Sequence, residues 1–313
     1  MSNVIGHQTE ETEDWEKDAE TRGIAHMKTD TRLILPVKER TASIEAGTIQ
    51  FIGNATVLIR YGGITILTDP TFIHRHEQVS IGYGMHSTRL TDPAMEIADL
   101  PPVDLIVLSH FHGDHFDQVA ERELDKSIPI ITNREAAKEL QQRGFRYSKP
   151  IDTWSSVSVE KGDMRMRITS MPGRHGPPLS ELVMPEVMGS MVEFEPIGGS
   201  SFRLYITGDT LIFDDLKEIP RRYKDIDLAL LHLGGTRVLG LLVTMDAKQG
   251  VELVQLVRPR QAIPIHYNDY DVFTSSLSDF QHEVIAAGLS DRLHYLSHGD
   301  TYTFRPSSKR AAA

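Results

Sequence analysis

Apolar residues in the first half of the chain follow two spacings in turn. Three short β-branched runs lie at positions 48–53, 55–61 and 64–69 with turn residues between them, a pattern that predicts a meander of antiparallel strands. The run at 103–109 is apolar over the length of a strand. The segment 117–126 that follows places apolar residues among charges at helical spacing, as an exposed helix does.

The alternation of strand and helix continues beyond residue 126. Positions 128–132 have the composition of a strand, and positions 133–144 that of a helix, with Asn133 as the N-cap and Gly144 just past the last turn. The second half repeats the order of the first, with period-two runs before alternating strand and helix segments, at positions 156–160, 164–172, 189–195, 201–209, 227–235, 246–257, 261–267 and 275–288. We therefore predict an α/β protein with two packed sheets flanked by helices.

The pattern is weak at both ends of the chain. Residues 1–40 are rich in charge and lack periodicity, which predicts a polar N-terminal arm that is mobile or loosely docked. We assign residues 41–306 to one folded domain and residues 307–313 to a tail.

Composition narrows the chemistry further. The 313 residues include no cysteine, so thiolate metal sites, disulfides and cysteine nucleophiles are excluded, and any metal must use nitrogen and oxygen ligands. The formal charge of −11 disfavours nucleic acid as a partner. The first residues lack the features of a secretory signal, and no apolar stretch approaches the roughly 18 residues of a membrane helix. We expect a cytoplasmic protein with a small-molecule substrate and no integral membrane segment.

Four metal-ligand side chains follow the strand at 103–109. Residues His110 and His112 share one face of an extended chain, and Gly113 lets the backbone turn so that Asp114 and His115 aim at the same region. Four ligands within six residues cannot all hold one tetrahedral ion. They can begin two adjacent sites if later segments supply the remaining ligands.

Later segments do offer the missing ligands. His175 stands in a Gly-rich turn after a strand, and Asp209 and His266 each stand where a strand ends. Sites gather at strand ends in layered α/β architectures. A single histidine is usually a surface or packing residue, but this combination is hard to produce for packing reasons, and it predicts a metal site.

These motifs resemble those of the metallo-β-lactamase superfamily, whose pattern is Asp, H-x-H-x-D-H, His, Asp and His. The resemblance spans roughly residues 45–305 and adds Asp69, in "ILTDP", as the first motif. It implies a four-layer αββα sandwich. Within the superfamily, "GNATVLI", "LTDPTF" and "TGDT" are similar to the group of ascorbate-6-phosphate lactonase and N-acylphosphatidylethanolamine phospholipase D, although Asn54 stands where that group usually has histidine.

The resemblance also implies a role for each ligand. Two divalent ions are expected, with zinc first and manganese or iron as alternatives. One ion would be held by His110, His112 and His175, the other by Asp114, His115 and His266, with Asp209 bridging them. Asp69 would be the acid that orients the ligands.

The expected enzyme is a metal-dependent hydrolase in which a metal-bridging hydroxide attacks a small ester, lactone or phosphodiester. Asp114 is the candidate proton shuttle, and Arg174, His232 and Tyr267 are candidate substrate contacts. Two alternatives stay open: a mononuclear-iron oxidoreductase of the persulfide dioxygenase type, and a phosphodiesterase like phospholipase D. The sequence leaves room for a homodimer or a larger ring.

Two further segments are of interest for substrate binding. The histidine-rich stretch 72–90 has the length and glycine content of a loop over the mouth of the site. The apolar "VLGLLV" at 238–243 either lines a substrate pocket, where it would contact acyl chains, or forms a buried strand.

Overall fold

Strands make up most of the fold. The structure, a computed structural model, describes residues 26–28, 32–37, 43–82, 84–178 and 184–306. The strands of these residues are, in chain order, β1 (His26–Lys28), β2 (Arg32–Ile34), β3 (Gly47–Gly53), β4 (Thr56–Tyr61), β5 (Ile64–Thr68), β6 (Gln78–Ser80), β7 (His86–Thr88), β8 (Leu105–Val107), β9 (Ile130–Thr132), β10 (Ser148–Pro150), β11 (Ser156–Lys161), β12 (Met164–Pro172), β13 (Met188–Pro196), β14 (Phe202–Ile206), β15 (Leu228–His232), β16 (Arg237–Val238), β17 (Leu241–Leu242), β18 (Gln261–Ile265) and β19 (Thr301–Phe304).

Four of the five α-helices in the described part of the chain begin at polar caps that the sequence displays. Asn133 Oδ1 accepts from the Ala136 N–H at 2.8 Å, which confirms the predicted N-cap. Asp246 caps another helix in the same way, and Ser276 forms a capping box with Asp279. The α-helices are α1 (Gln118–Glu123), α2 (Arg134–Gln142), α3 (Glu218–Arg222), α4 (Ala247–Val257) and α5 (Leu277–Ala286).

Two large sheets pack face to face. The eight-stranded sheet has the order β1-β2-β11-β12-β13-β14-β15-β18, and the seven-stranded sheet has the order β10-β9-β8-β5-β4-β3-β19. β3, β4 and β5 form the predicted antiparallel meander. Two small hairpins, β6-β7 and β16-β17, stand apart from the large sheets.

Apolar side chains fill three layers. The central layer lies between the sheets, where Tyr61 and Phe194 meet edge to face with ring centroids 5.5 Å apart. The outer layers hold α4 and α5 against the larger sheet and α1 and α2 against the smaller one. Helix, sheet, sheet and helix form a four-layer sandwich, which confirms the predicted fold.

Parallel strands bring several chain segments to one edge of the sandwich. β14, β15 and β18 run parallel in the larger sheet, and β5, β8 and β9 run parallel in the smaller one. The carboxyl ends of parallel strands point the same way, so the loops that follow these strands meet at one edge.

The described ends of the chain add strands to both sheets. β1 and β2 lie within the segment predicted as an arm, and β2 pairs in parallel with β11 at the edge of the larger sheet. Residues 1–25, 29–31 and 38–40 of the arm, residues 41 and 42 of the predicted domain, and the predicted tail at 307–313 lie outside the described residues. Among the helices of the described part of the chain, none combines the length and the apolar character needed to cross a membrane.

Candidate metal centre

The ligand-type side chains lie where strands of both sheets end. Asp69 directly follows β5, and the cluster from His110 to His115 follows β8 after two residues. In the larger sheet Asp209 follows β14, and His266 directly follows β18. The edge defined by the parallel strands therefore collects side chains from positions almost 200 residues apart.

Three histidines form the first group. Ligand atoms of His110, His112 and His175 lie within 4.8 Å of one another. His110 Nε2 and His112 Nδ1 are 3.1 Å apart, and His175 Nδ1 donates to the Val243 carbonyl oxygen at 2.8 Å. Burial lowers the pKa of His112 to about 4 and lowers the pKa of His110 and His175 as well. Neutral imidazoles are the form of histidine that binds metal.

The second group adds two carboxylates to two histidines. Ligand atoms of Asp114, His115, Asp209 and His266 lie within 4.8 Å of one another, and all four residues are buried. His115 Nε2 is 3.4 Å from Asp209 Oδ2, and His266 Nε2 is 3.5 Å from Asp114 Oδ2. These separations exceed the usual length of a hydrogen bond.

Four buried atoms of this group have no hydrogen-bond partner. An unpaired buried polar atom costs about 1–3 kcal/mol, so four at one place require a physical reason. A cation among them would supply the missing partner. The atoms are Asp114 Oδ1, His115 Nε2, Asp209 Oδ1 and His266 Nε2.

The electrostatics of the second group also favour positive charge. Burial lowers the pKa of His115, but Asp209 and Asp114 outweigh burial and raise that pKa well above its ordinary value. Burial raises the pKa of Asp209, but His266 and His115 outweigh it and hold that pKa well below its ordinary value. The field that retains a proton on His115 is the field that attracts a divalent cation. The donor set and its charge therefore fit a metal centre.

Asp69 anchors the loop that carries the ligands. Its Oδ1 accepts from the Ser109 N–H at 2.7 Å, and its Oδ2 lies 3.6 Å from His115 Nδ1 and 3.3 Å from His232 Nε2. Burial raises the pKa of Asp69, but the nearby His115 and His232 side chains outweigh burial and bring the pKa to about 2. This geometry fits the predicted orienting role, since a carboxylate behind a metal-binding histidine fixes its ring.

Gly113 begins the predicted turn at residues 113–115 and also packs closely against β6. Its φ is not among the positive values of the chain, so no left-handed conformation requires glycine there. A Cβ at this position would lie 2.7 Å from the Ser80 carbonyl oxygen, to which the Gly113 N–H donates at 2.9 Å. Glycine therefore permits close approach to β6 at the start of the turn, in which the His115 and Phe116 N–H groups donate to the His112 carbonyl oxygen.

Sequence reasoning missed Asn54 as a residue that joins two ligand loops. Its Nδ2 donates to the Asp114 carbonyl oxygen at 2.6 Å, and its own carbonyl oxygen accepts from the His266 N–H at 2.8 Å. The φ of Asn54 is +52°, which asparagine tolerates better than most residues. Its place in a Gly-Asn hairpin turn was the available signal, but a turn residue carries no sign of what its side chain binds.

Thr244 was also missed. Its Oγ1 donates to Asp209 Oδ2 at 3.1 Å, while the neighbouring Val243 holds His175 through its carbonyl oxygen. Two adjacent residues therefore orient one ligand from each group. A threonine that follows a valine has the composition of an ordinary strand and gives no signal of this role.

None of the three predicted substrate contacts, all of which lie in the described part of the chain, is among the residues that line the pocket. The Arg174 guanidinium stacks on Phe213, with Cζ 4.5 Å from the ring centroid. His232 is buried, with Nδ1 3.1 Å from Thr207 Oγ1 and Nε2 beside Asp69. The Tyr267 hydroxyl donates to the Leu296 carbonyl oxygen at 3.2 Å.

A pocket adjoins the ligand groups. His112, His175, Asp114 and Asp209 form its polar part. Its walls include Ile81 from the stretch 72–90, so that segment reaches the mouth of the site as predicted.

The apolar "VLGLLV" at 238–243 belongs to the wall of the pocket. It forms most of the hairpin β16-β17, with Val238 and Val243 lining the pocket. Leu239 is 97% exposed and Leu241 is 57% exposed, so the alternative of a buried strand was wrong.

The sequence matches the model of the family described as "Beta-lactamase superfamily domain" over residues 65–267. A protein of Rubrobacter xylanophilus named UPF0173 metal-dependent hydrolase is 26% identical over 257 residues, which are 80% of this chain and 94% of the relative. A relative of the same name from Carboxydothermus hydrogenoformans is 28% identical over 243 residues, covering 77% of this chain and 94% of its own length.

Solved structures share the fold. The isothiocyanate hydrolase from Delia radicum gut bacteria superposes with a TM-score of 0.68 at 20% identity, covering 82% of this chain and 99% of that one. A metallo hydrolase from Ignicoccus hospitalis superposes with a TM-score of 0.62 at 21% identity, covering 84% and 100%. At sequence identities this low, the similarity to these two structures shows only a shared fold.

Proposed function

The chain belongs to the beta-lactamase superfamily of metal-dependent hydrolases, and we propose that it uses a dinuclear centre to cleave a small ester, lactone or phosphodiester. The observation that carries the proposal is the meeting of two groups of histidine and aspartate at one sheet edge. A single group would serve one ion. Two adjoining groups favour a pair.

The ligands divide between the two ions. Three neutral histidines would hold the first ion, and the second group would hold the other, with the Asp209 carboxylate shared between them. Asp209 acts electrostatically on His110, His112 and His175 as well as on His115 and His266, which supports a position between the ions. Zinc suits this nitrogen and oxygen donor set, and manganese or iron would fit the same ligands.

Two divalent ions, when bound, polarise a carbonyl or phosphoryl oxygen and lower the pKa of water toward 7, so no serine or cysteine nucleophile is needed. Asp114 is the proton acceptor that the chain supplies. Burial raises its pKa, but His115 and His266 outweigh burial and bring the pKa to about 2, so the carboxylate is ionised at neutral pH. Its position among the residues that line the pocket supports this role.

Buried polar residues hold this machinery in place. Asp69 fixes the start of the ligand loop through the Ser109 N–H, and His232 supports Asp69 from the side of the larger sheet. We therefore assign His232 a positioning role that acts through Asp69. The resemblance to the lactonase and phospholipase D group supports an ester, lactone or phosphodiester bond as the target.

Metal content and turnover of the purified protein test the proposal together. Protein stripped by a chelator and reloaded with zinc or manganese should bind two ions per chain and hydrolyse at least one substrate among lactones, aryl esters and bis-phosphodiesters. His110→Ala and Asp209→Ala should each lose metal and turnover. His282→Ala, which changes an exposed histidine of α5, should keep both.

Two results would contradict the proposal. Full turnover of Asp209→Ala would remove the proposed shared ligand from the mechanism. A single iron ion per chain with consumption of oxygen would favour the oxidoreductase alternative instead.

A further inference from the structure

The walls of the pocket are aliphatic. Ile81, Val238, Val243 and Val272 line the pocket, together with Met184 and Thr236. These side chains come from four separated segments, so the fold assembles an apolar wall above a polar floor. Such a combination fits a ligand with an apolar body and one polar group placed at the metal ligands.

The wall offers no cation to an anionic ligand. Among the described residues that line the pocket there is no lysine or arginine. The guanidinium of Arg174 stacks on Phe213, and Arg237 Nη1 donates to the Gly240 carbonyl oxygen of its own hairpin at 3.1 Å. A carboxylate or phosphate on the part of the substrate that contacts the wall would lose its hydration without a partner. The pocket therefore favours an uncharged group.

The hairpin β16-β17 extends the aliphatic surface outward from the pocket. Val238 lines the pocket, and the next residue, Leu239, stands at the tip with its side chain in solvent. Leu239 and Gly240 have φ of +50° and +81°, the signs that a type I′ turn requires at both central residues. Asparagine, aspartate or glycine is preferred at the first of these positions. A leucine there is costly both for the backbone and for its exposed side chain.

We propose that the site acts on uncharged esters or lactones with a linear aliphatic chain, which packs against Val238 and Val272 and reaches Leu239 at the tip of the hairpin. This inference rests on the proposed hydrolase function and deepens it by naming the substrate class. It explains the aliphatic wall, the absence of a cation among its described residues and the leucine in an unfavourable turn position.

A series of 4-nitrophenyl esters with acyl chains from acetate to octanoate tests the inference on zinc-loaded protein. The value of kcat/KM should rise about threefold to fourfold for each added CH₂ until the chain passes the hairpin. An ester of similar length that ends in a carboxylate should react at least about 100-fold more slowly than its neutral counterpart.

Two variants and one control distinguish the effect of the pocket wall on ester hydrolysis from general effects on folding. Leu239→Asn places a residue that the turn prefers at the tip, so it should fold well while losing the gain for the longest esters. Val238→Thr keeps the shape of the side chain and should reduce the slope from the shorter esters onward. Ile285→Asn, which changes an exposed apolar residue on α5, should leave the whole series unchanged.

Binding of neutral alcohols distinguishes failure of the inference from failure of the proposed function. Calorimetry should show that 1-octanol binds more tightly than 1-butanol, and that Val238→Thr weakens the difference. Binding with this preference but without hydrolysis of any ester or lactone would refute the hydrolase function and leave the aliphatic site. Ester hydrolysis without dependence on chain length, or equal rates for the carboxylate-bearing ester, would overturn the inference and leave the hydrolase function.

Discussion

Asn54 offers a direct test of how the ligand loops are held in place. Its side chain and carbonyl group bind the loops of Asp114 and His266, and its N–H donates to Asp269 Oδ2 at 2.6 Å. Replacing Asn54 removes its side-chain contact to the Asp114 loop, leaves the main-chain contact to His266 in place, and removes no ligand. We expect it to reduce both stability and metal affinity.

The structure sets the size of the effect. Asn54→Gly removes the donor to the buried Asp114 carbonyl group, and leaving such a group unpaired costs about 1–3 kcal/mol of unfolding free energy. Asn54→Ala removes the same donor but, unlike the glycine variant, keeps a Cβ at a φ of +52°, which costs about 1 kcal/mol relative to glycine. We expect Tm to fall by about 5–10 °C for the alanine variant. Zinc affinity should fall by about 10- to 100-fold in both, as for other residues that support metal ligands.

Urea unfolding in the presence of a chelator measures the first effect without a contribution from bound metal. Competition with a chromophoric chelator measures zinc affinity separately. The pair of variants is its own control, because glycine and alanine lose the same side-chain contacts and differ in backbone strain. Unchanged zinc affinity in both variants, or equal stability of all three proteins, would refute the reasoning.

Three other perturbations test the site and its support. The folded-state pKa of Asp69 is about 2 against an ordinary value of 3.8, so its carboxylate stabilises the fold above about pH 4, and about 2 kcal/mol is lost as pH falls toward 2. In urea unfolding with a chelator, Asp69→Asn should flatten this acid limb, and parallel curves would contradict the assignment. Gly113→Ala forces a Cβ against the Ser80 carbonyl oxygen and should lower zinc affinity about tenfold in a chelator competition, whereas wild-type affinity would contradict the close approach. Zinc at about 100 times its Kd should add about 2.7 kcal/mol per site to the unfolding free energy, and an unchanged Tm after chelation would exclude tight binding.

Periodicity in the sequence predicts the central elements of this fold because each of them buries a regular face. β12 begins with strict alternation of buried and exposed residues, and α2 has both a polar cap and an apolar stripe. The strands at or next to the edges of the two sheets could not be predicted in this way. β2 and β19 have three and four residues, too few to display a period, and each pairs with a strand more than 100 residues away.

The residues of the candidate site also fall into those that the sequence could predict and those that it could not. Histidine and aspartate at strand ends are chemically distinctive, so the sequence could predict the ligand groups that the structure brings together. The residues that hold those ligands are of common types. Asn54, Thr244 and the carbonyl oxygen of Val243 act through their positions, and position is known only when the two sheets are packed.

Backbone strain around the site shows what those supporting residues achieve. Asp69 and His266 have φ of +34° and +60°, and Asn54, which joins the ligand loops, has +52°. Such conformations cost about 1–3 kcal/mol each and persist only where surrounding contacts enforce them. Two hydrogen bonds enforce these conformations. The Ser109 N–H donates to the Asp69 carboxylate, and the His266 N–H donates to the Asn54 carbonyl oxygen. Because the folded chain itself maintains this strain, we expect the ligand loops to need little rearrangement when metal binds.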